Sequence, residues 1–177
     1  FATILGFIYL YLEYKAKYAL WIVGLIWSLA YMFMFWKQGM IAWVITWGYY
    51  FIANIYGMIV WKKEKQAESP PTHLKGRWLL PIFLVVTILM YPLWILEIKY
   101  NPLAEFTWII FGTVFSTAIG FVGMYLLAKK IVEQWIIWIV VNFIYTVINF
   151  YTGYLSNEPT HYLTATFFFF YTFMAVL

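Results

Sequence analysis

The sequence predicts an all-α membrane protein of seven transmembrane helices, arranged as two parallel three-helix repeats joined by one further helix. Of the 177 residues, 66% are hydrophobic and only 10% are charged, whereas a soluble domain carries roughly 25% charged residues. Long uncharged runs also recur along the whole chain. Each approaches the roughly 20 residues that a helix needs to cross a bilayer, so the class is a polytopic membrane protein.

Seven spans follow when the chain is divided at charges, prolines and polar clusters. The predicted spans are 1–12, 19–36, 40–61, 78–100, 104–128, 134–155 and 160–177. The first would be about 18 Å long at 1.5 Å per residue, too short to cross a bilayer alone. We therefore expect the natural chain to begin earlier, and the abrupt end of the last span predicts a further tail.

The basic residues predict an orientation. Seven spans place the connections on alternating sides, and nine of the 11 basic residues then share one side, against Lys37 and Lys99 on the other. The nine are Lys15, Lys17, Lys62, Lys63, Lys65, Lys75, Arg77, Lys129 and Lys130. Because basic residues favour the cytoplasmic side, we expect an external N-terminus and a cytoplasmic C-terminus.

The span order predicts three regions. Residues 1–61 form a first three-helix repeat, residues 62–103 a cytoplasmic linker with a connecting helix, and residues 104–177 a second three-helix repeat. The connecting helix returns the chain to the outer side, so both repeats run in the same direction, as in parallel-repeat carriers. The architecture therefore favours a transporter.

Several kinds of chemistry are not expected. The chain has no cysteine, and its two histidines, His73 and His161, fall in predicted loops, so neither a thiolate site nor a histidine metal site is predicted. The spans contain hydroxyl groups but no base beside them, which argues against an enzyme. No cofactor and no nucleic-acid partner are expected, and a homo-oligomer is left open.

All seven acidic residues are glutamates, and each lies at a predicted span end or in a loop. Carriers driven by protons or sodium usually place an ionisable group near the middle of the bilayer. The sequence therefore favours downhill, uncoupled transport. In the alternative, an edge glutamate such as Glu105 moves inward in the folded bundle and permits ion coupling.

Three side-chain amides, Asn54, Asn142 and Asn149, lie within predicted spans. An amide in hydrocarbon is costly unless it is hydrogen-bonded. Counted from the predicted cytoplasmic ends at Trp61 and Gln134, Asn54 lies about 10 Å deep and Asn142 about 12 Å deep. Matching depths favour a shared polar site, while the alternative is that each amide holds helices together.

Aromatic residues accompany these amides at helical spacing. The stripe on the sixth span comprises Trp135, Trp138, Asn142, Tyr145 and Asn149. The stripe on the third span comprises Trp47, Tyr50, Asn54, Gly57 and Trp61. Rings alone often serve packing, but rings with amides can hold a flat polar solute. A cationic ring would be bound most strongly, because aromatic faces attract cations.

Two segments carry a family resemblance. Residues 51–61 read F-I-A-N-I-Y-G-M-I-V-W, and residues 129–142 read K-K-I-V-E-Q-W-I-I-W-I-V-V-N. They resemble the Asn-x-Tyr-Gly segment and the W-x-x-W-x-x-x-N motif of the PnuC family of nicotinamide riboside transporters, bacterial relatives of the SWEET sugar carriers. The resemblance implies a central substrate site, facilitated uptake of this NAD precursor through the bacterial inner membrane, and trapping by phosphorylation inside.

The resemblance also implies a set of substrate contacts. Trp138 and Asn142 come first, then Trp135, Asn54 and Gln38, with Tyr145 and Asn149 as neighbours. Nicotinamide riboside is a pyridinium cation, so Trp138 would supply cation–π attraction while the amides bond the carboxamide or ribose. The chain departs from the family pattern at Tyr171, where an asparagine is expected on the last span.

Two other functions stay open at this point. A sister carrier for thiamine or another flat vitamin would use the same aromatic site. A membrane scaffold or receptor that transports nothing would instead bury both stripes against neighbouring helices.

Overall fold

A computed structural model of the chain describes residues 2–37, 39, 41–63, 69–100 and 107–176. These residues form seven α-helices and a short 3-10 turn, Gly76–Trp78. The helices are α1 Ala2–Tyr14, α2 Ala19–Lys37, α3 Ile41–Lys63, α4 Leu79–Tyr100, α5 Thr107–Ala128, α6 Gln134–Ser156 and α7 Pro159–Val176. The all-helical prediction is confirmed, and every predicted boundary lies within about one helical turn of the observed one.

Five described helical segments are long and apolar enough to cross a membrane. They are Ala19–Lys37, Ile41–Lys63, Gly76–Tyr100, Trp108–Ala128 and Gln134–Ser156. The helices α1 and α7 are not among the five. The chain is thus a multi-pass membrane protein, as its composition predicts.

The chain divides into two compact units. The first contains Phe1–Leu74 and Met124–Val132, and the second contains Lys75–Gly123 and Glu133–Leu177. In the first unit α1 packs on α2, and α2 packs on α3. In the second unit α6 packs along α7.

The core of the first unit is built around the indole of Trp21, which is fully buried. This ring lies over Gly57 so closely that a Cβ there would be 2.3 Å from Trp21 Cζ3. Trp21 meets the ring of Trp61 edge-on at 5.4 Å, and Trp61 Nε1 donates a hydrogen bond to Ala128 O at 3.0 Å. Gly57 therefore allows α2 and α3 to approach closely, and Trp21 and Trp61 pack against each other at this contact.

The linker after α3 is anchored to the turn between α5 and α6. Thr72 N donates to Lys130 O at 3.0 Å, and Val132 N donates to Thr72 O at 2.9 Å, which makes a parallel bridge between Thr72 and Ile131. Lys130 Nζ also donates to Ser69 O. The described part of the linker therefore holds a fixed place in the first unit.

In the second unit, glycines bring α5, α6 and α7 together. A Cβ on Gly112 would lie 3.0 Å from Ile148 Cδ1, and one on Gly153 would lie 3.2 Å from His161 Cβ. Gly112 stands at four-residue spacing with Ser116 and Gly120, a small-residue pattern that predicts close helix packing. The helix α4 is mostly exposed and buries only a narrow stripe.

Two glutamates are more enclosed than their places at predicted span ends suggest. Glu13 in the last turn of α1 is 5% exposed, and Glu97 in the last turn of α4 is 6% exposed. Both lie near helix ends and not at mid-helix. Glu105, the glutamate singled out for ion coupling, lies outside the described residues.

Candidate functional site

The helix α6 carries most of the predicted site, and its faces differ in chemistry. Its exposed side chains are large and apolar, as expected of a lipid-facing surface. They include Ile136, Phe143, Val147 and Phe150. The buried face instead holds polar residues, among them Gln134 and Asn142. The 3.6-residue period of the helix therefore turns the amide groups inward.

Asn142 is one of the buried polar residues of this face. Its side chain is 5% exposed, and within the described residues its Nδ2 atom is buried without a hydrogen-bond partner. Leaving such a group unsatisfied costs about 1–3 kcal/mol. A polar solute would supply the missing acceptor.

Trp138 lies one helical turn before Asn142 on the same face. Its Nε1 atom is also buried and makes no hydrogen bond to any described residue. The indole ring lies on Gly123 of α5, where a Cβ would be 3.3 Å from Trp138 Cζ2. The absent side chain at position 123 therefore leaves room for the ring.

Tyr145 and Asn149 are more fully engaged within the second unit. Tyr145 Oη and Thr117 Oγ1 are hydrogen-bonded at 3.3 Å, and the Tyr145 ring stacks on Phe168 of α7 at 5.3 Å. Asn149 Nδ2 donates to Tyr145 O at 2.8 Å. These two residues thus extend the polar face with groups that already have partners, while Trp135 near the start of α6 is half-buried.

The side chain of Asn54 makes its hydrogen bonds within the first unit. Its Nδ2 atom donates to Tyr50 O at 2.7 Å and to Ser28 Oγ of α2 at 3.3 Å, and its side chain is 2% exposed. A Cβ on Gly24 would lie 2.0 Å from Asn54 Oδ1. This arrangement matches the packing interpretation, in which the amide joins α2 to α3. The remaining candidate, Gln38, lies outside the described residues.

The aromatic residues of the third-span stripe also serve packing. Trp47 stacks on Tyr31 of α2 with ring centroids 4.2 Å apart and 8° between planes, and Trp61 is 2% exposed. Trp47 packs on Tyr31 and Trp61 packs on Trp21, so both rings join α3 to α2. The two predicted stripes differ in which amide atom lacks a partner among the described residues. Within that part of the chain, Trp47 Nε1 and the acceptor Asn54 Oδ1 are unpaired on α3, whereas Trp138 Nε1 and the donor Asn142 Nδ2 are unpaired on α6.

The charges on the described helices lie at their ends. Lys37, Lys62, Lys63 and Lys99 all fall in last turns, and no cluster of three metal-ligating side chains occurs among the described residues. An uncharged face of rings and amides can recognise a solute by π contacts and hydrogen bonds. It offers no countercharge to a phosphate.

A family model described as "Nicotinamide mononucleotide transporter", the PnuC family, matches residues 1–177. The chain belongs to this family. No curated protein and no solved structure matches the chain. Membership of the PnuC family makes the chain a member of a transporter family and points away from an enzyme.

One polar residue of this face is absent from the set that the PnuC resemblance implied. Gln134, the first residue of α6, is 4% exposed, whereas the sequence indicates only that it begins the predicted sixth span. Its position four residues before Trp138, on the same helix face, was the available signal.

Proposed function

We propose that the chain is a facilitative carrier that takes up nicotinamide riboside by alternating access. The observation that carries this proposal is the pair of unused donors on α6, Asn142 Nδ2 and Trp138 Nε1, both buried in a helix that can span the membrane. The indole offers its face to a pyridinium cation, and both donors suit carboxamide or ribose oxygens. Trp135, Tyr145 and Asn149 would complete the α6 surface.

The charge distribution favours the nucleoside over its phosphate. The described helices carry their lysines only in last turns, so a nucleotide phosphate would find no positive partner in the middle of a span. Burying an uncompensated anion is strongly unfavourable. Nicotinamide riboside, a cation without phosphate, avoids this cost.

We also propose that α1 and α7 span the membrane with the other five helices, giving seven spans in a three-one-three order. Both helices expose apolar side chains as lipid-facing helices do, including Tyr11 at 60% and Leu163 at 71%. The external N-terminus and cytoplasmic C-terminus follow from the nine basic residues that share one side.

Transport is expected to need no ion gradient. Proteoliposomes without a proton or sodium gradient should equilibrate labelled nicotinamide riboside, because no glutamate of a described helix lies at mid-span. The initial rate and the final level should be unchanged by a protonophore. Accumulation above equilibrium that collapses with the protonophore would refute uncoupled transport and point to the buried Glu13 or Glu97.

The orientation predicts a labelling pattern. Because the chain has no cysteine, Ser69→Cys in the linker would introduce the only thiol. A membrane-impermeant maleimide should leave it unlabelled in intact cells and label it in inside-out vesicles. Thr160→Cys, at the exposed start of α7, is the matched control and should react from outside. Labelling of Ser69→Cys from outside intact cells would reverse the proposed orientation.

A further inference from the structure

Gln134 begins α6, directly after the turn that follows α5. Its side chain is 4% exposed, and its Oε1 atom is buried with no hydrogen-bond partner among the described residues. A buried amide oxygen is an acceptor that normally finds a donor, since leaving it unpaired is costly. Nothing in the packing of the described residues satisfies it.

Gln134 continues the face already formed by Trp138 and Asn142. The three residues follow each other at four-residue steps, so they lie one above the other on the helix, about 6 Å apart along its axis. Each has one buried polar atom without a partner in the described part of the chain: Gln134 Oε1, Trp138 Nε1 and Asn142 Nδ2. The row therefore offers one acceptor followed by two donors.

Other polar side chains of α6 behave differently. Thr146 Oγ1 donates to Asn142 O at 2.8 Å, and Asn149 Nδ2 donates to Tyr145 O at 2.8 Å. Both use the carbonyl four residues earlier in their own helix, the usual local solution for a buried polar group in a membrane helix. The unpaired atoms are thus concentrated in the first half of α6.

We propose that Gln134 is a further substrate contact, whose Oε1 atom accepts a hydrogen bond from a ribose hydroxyl of the solute. This inference rests on the proposed function. The row from Gln134 to Asn142 covers about 12 Å of helix, more than a single ring with its carboxamide can reach. A nucleoside can occupy the indole and Asn142 with its base and place its sugar at Gln134. Gln134 is therefore a specificity residue that selects the nucleoside over the free base.

The test compares two ligands on three proteins by calorimetry. Gln134→Met keeps the length of the side chain and removes the amide, whereas Gln134→Glu keeps an acceptor oxygen. The Met variant should bind nicotinamide riboside about tenfold more weakly, the loss expected for one buried hydrogen bond. Its affinity for free nicotinamide should stay at the wild-type value, and the Glu variant should recover most of the riboside affinity.

Two results on the variants would overturn the inference. Wild-type riboside affinity in the Met variant would remove Gln134 from the site. An equal loss for riboside and free nicotinamide would show that Gln134 only positions α6. If wild-type protein binds no nicotinamide riboside, the proposed function fails and this inference fails with it; if only the variant results disagree, the proposed function stands.

A second measurement needs no folded variant. Wild-type protein should bind at least one deoxyriboside of nicotinamide, lacking the 2′, 3′ or 5′ hydroxyl, about tenfold more weakly than the riboside. Equal affinity for all three deoxyribosides and the riboside would contradict a sugar contact at Gln134.

Discussion

Asn142→Leu should lose high-affinity binding of nicotinamide riboside. The amide of Asn142 is buried with its Nδ2 donor unused among the described residues, and leucine has a similarly branched side chain but no donor. A solute oxygen left unpaired in a buried site costs about 1–3 kcal/mol, so the dissociation constant should rise about tenfold or more. Calorimetry on purified protein measures this directly.

Two further variants of α6 distinguish the loss of a hydrogen bond to the solute from a general loss of folding. Trp138→Phe should only weaken binding, because phenylalanine keeps a smaller π face. Thr146→Val should leave the affinity unchanged, because the Thr146 hydroxyl already bonds its own helix. If Asn142 only holds helices together, Asn142→Leu would melt early while its folded fraction binds with native affinity. That outcome would remove Asn142 from the site.

Gly57→Ala should cause a large loss of stability while leaving the α6 face intact. The added methyl would lie 2.3 to 2.5 Å from three atoms of the Trp21 ring, and this ring is fully buried against Trp61. The indole is enclosed on all sides by protein, so it cannot swing out into solvent. Overpacking of this kind typically costs about 1–3 kcal/mol, and it should lower the melting temperature in detergent by several degrees.

Gly48→Ala is the matched control, since it makes the same change on the same helix. The nearest atom to its added methyl would be Met32 Cε at 3.8 Å, an ordinary contact. Alanine also favours helix over glycine by up to about 1 kcal/mol, so this variant should melt at or above the wild-type temperature. Equal melting temperatures for the two variants would contradict the packing described around Trp21.

The membrane class and the limits of the helices were largely predictable, because both follow from simple features. Apolar runs with charges at their ends fix helix limits closely: the sixth span was predicted at 134–155, and α6 is Gln134–Ser156. Tight packing at Gly112 was also expected from its spacing with other small residues. These features depend on local sequence and on the thickness of the bilayer.

The roles of the polar residues were harder to predict, because they depend on which atoms meet across helices. Asn54, Asn142 and Asn149 look alike in the sequence, yet Asn54 bonds Ser28, Asn149 bonds its own helix, and Asn142 Nδ2 meets no partner among the described residues. The burial of a side chain is also not evident from the sequence, since Glu97 lies at a helix end and yet is only 6% exposed. The sequence predicts the depth of a side chain but not its neighbours.

A competition assay in proteoliposomes tests most directly the claim that the chain carries nicotinamide riboside. Proteoliposomes loaded with unlabelled nicotinamide riboside take up labelled riboside, and excess nicotinamide mononucleotide, thiamine or riboside is added outside. The uncharged α6 face predicts strong competition by the riboside and little by the mononucleotide, whose phosphate would find lysines only in the last turns of the described helices. Thiamine, a flat cation without the carboxamide and ribose, should compete weakly. Competition by the mononucleotide equal to that of the riboside would contradict the account.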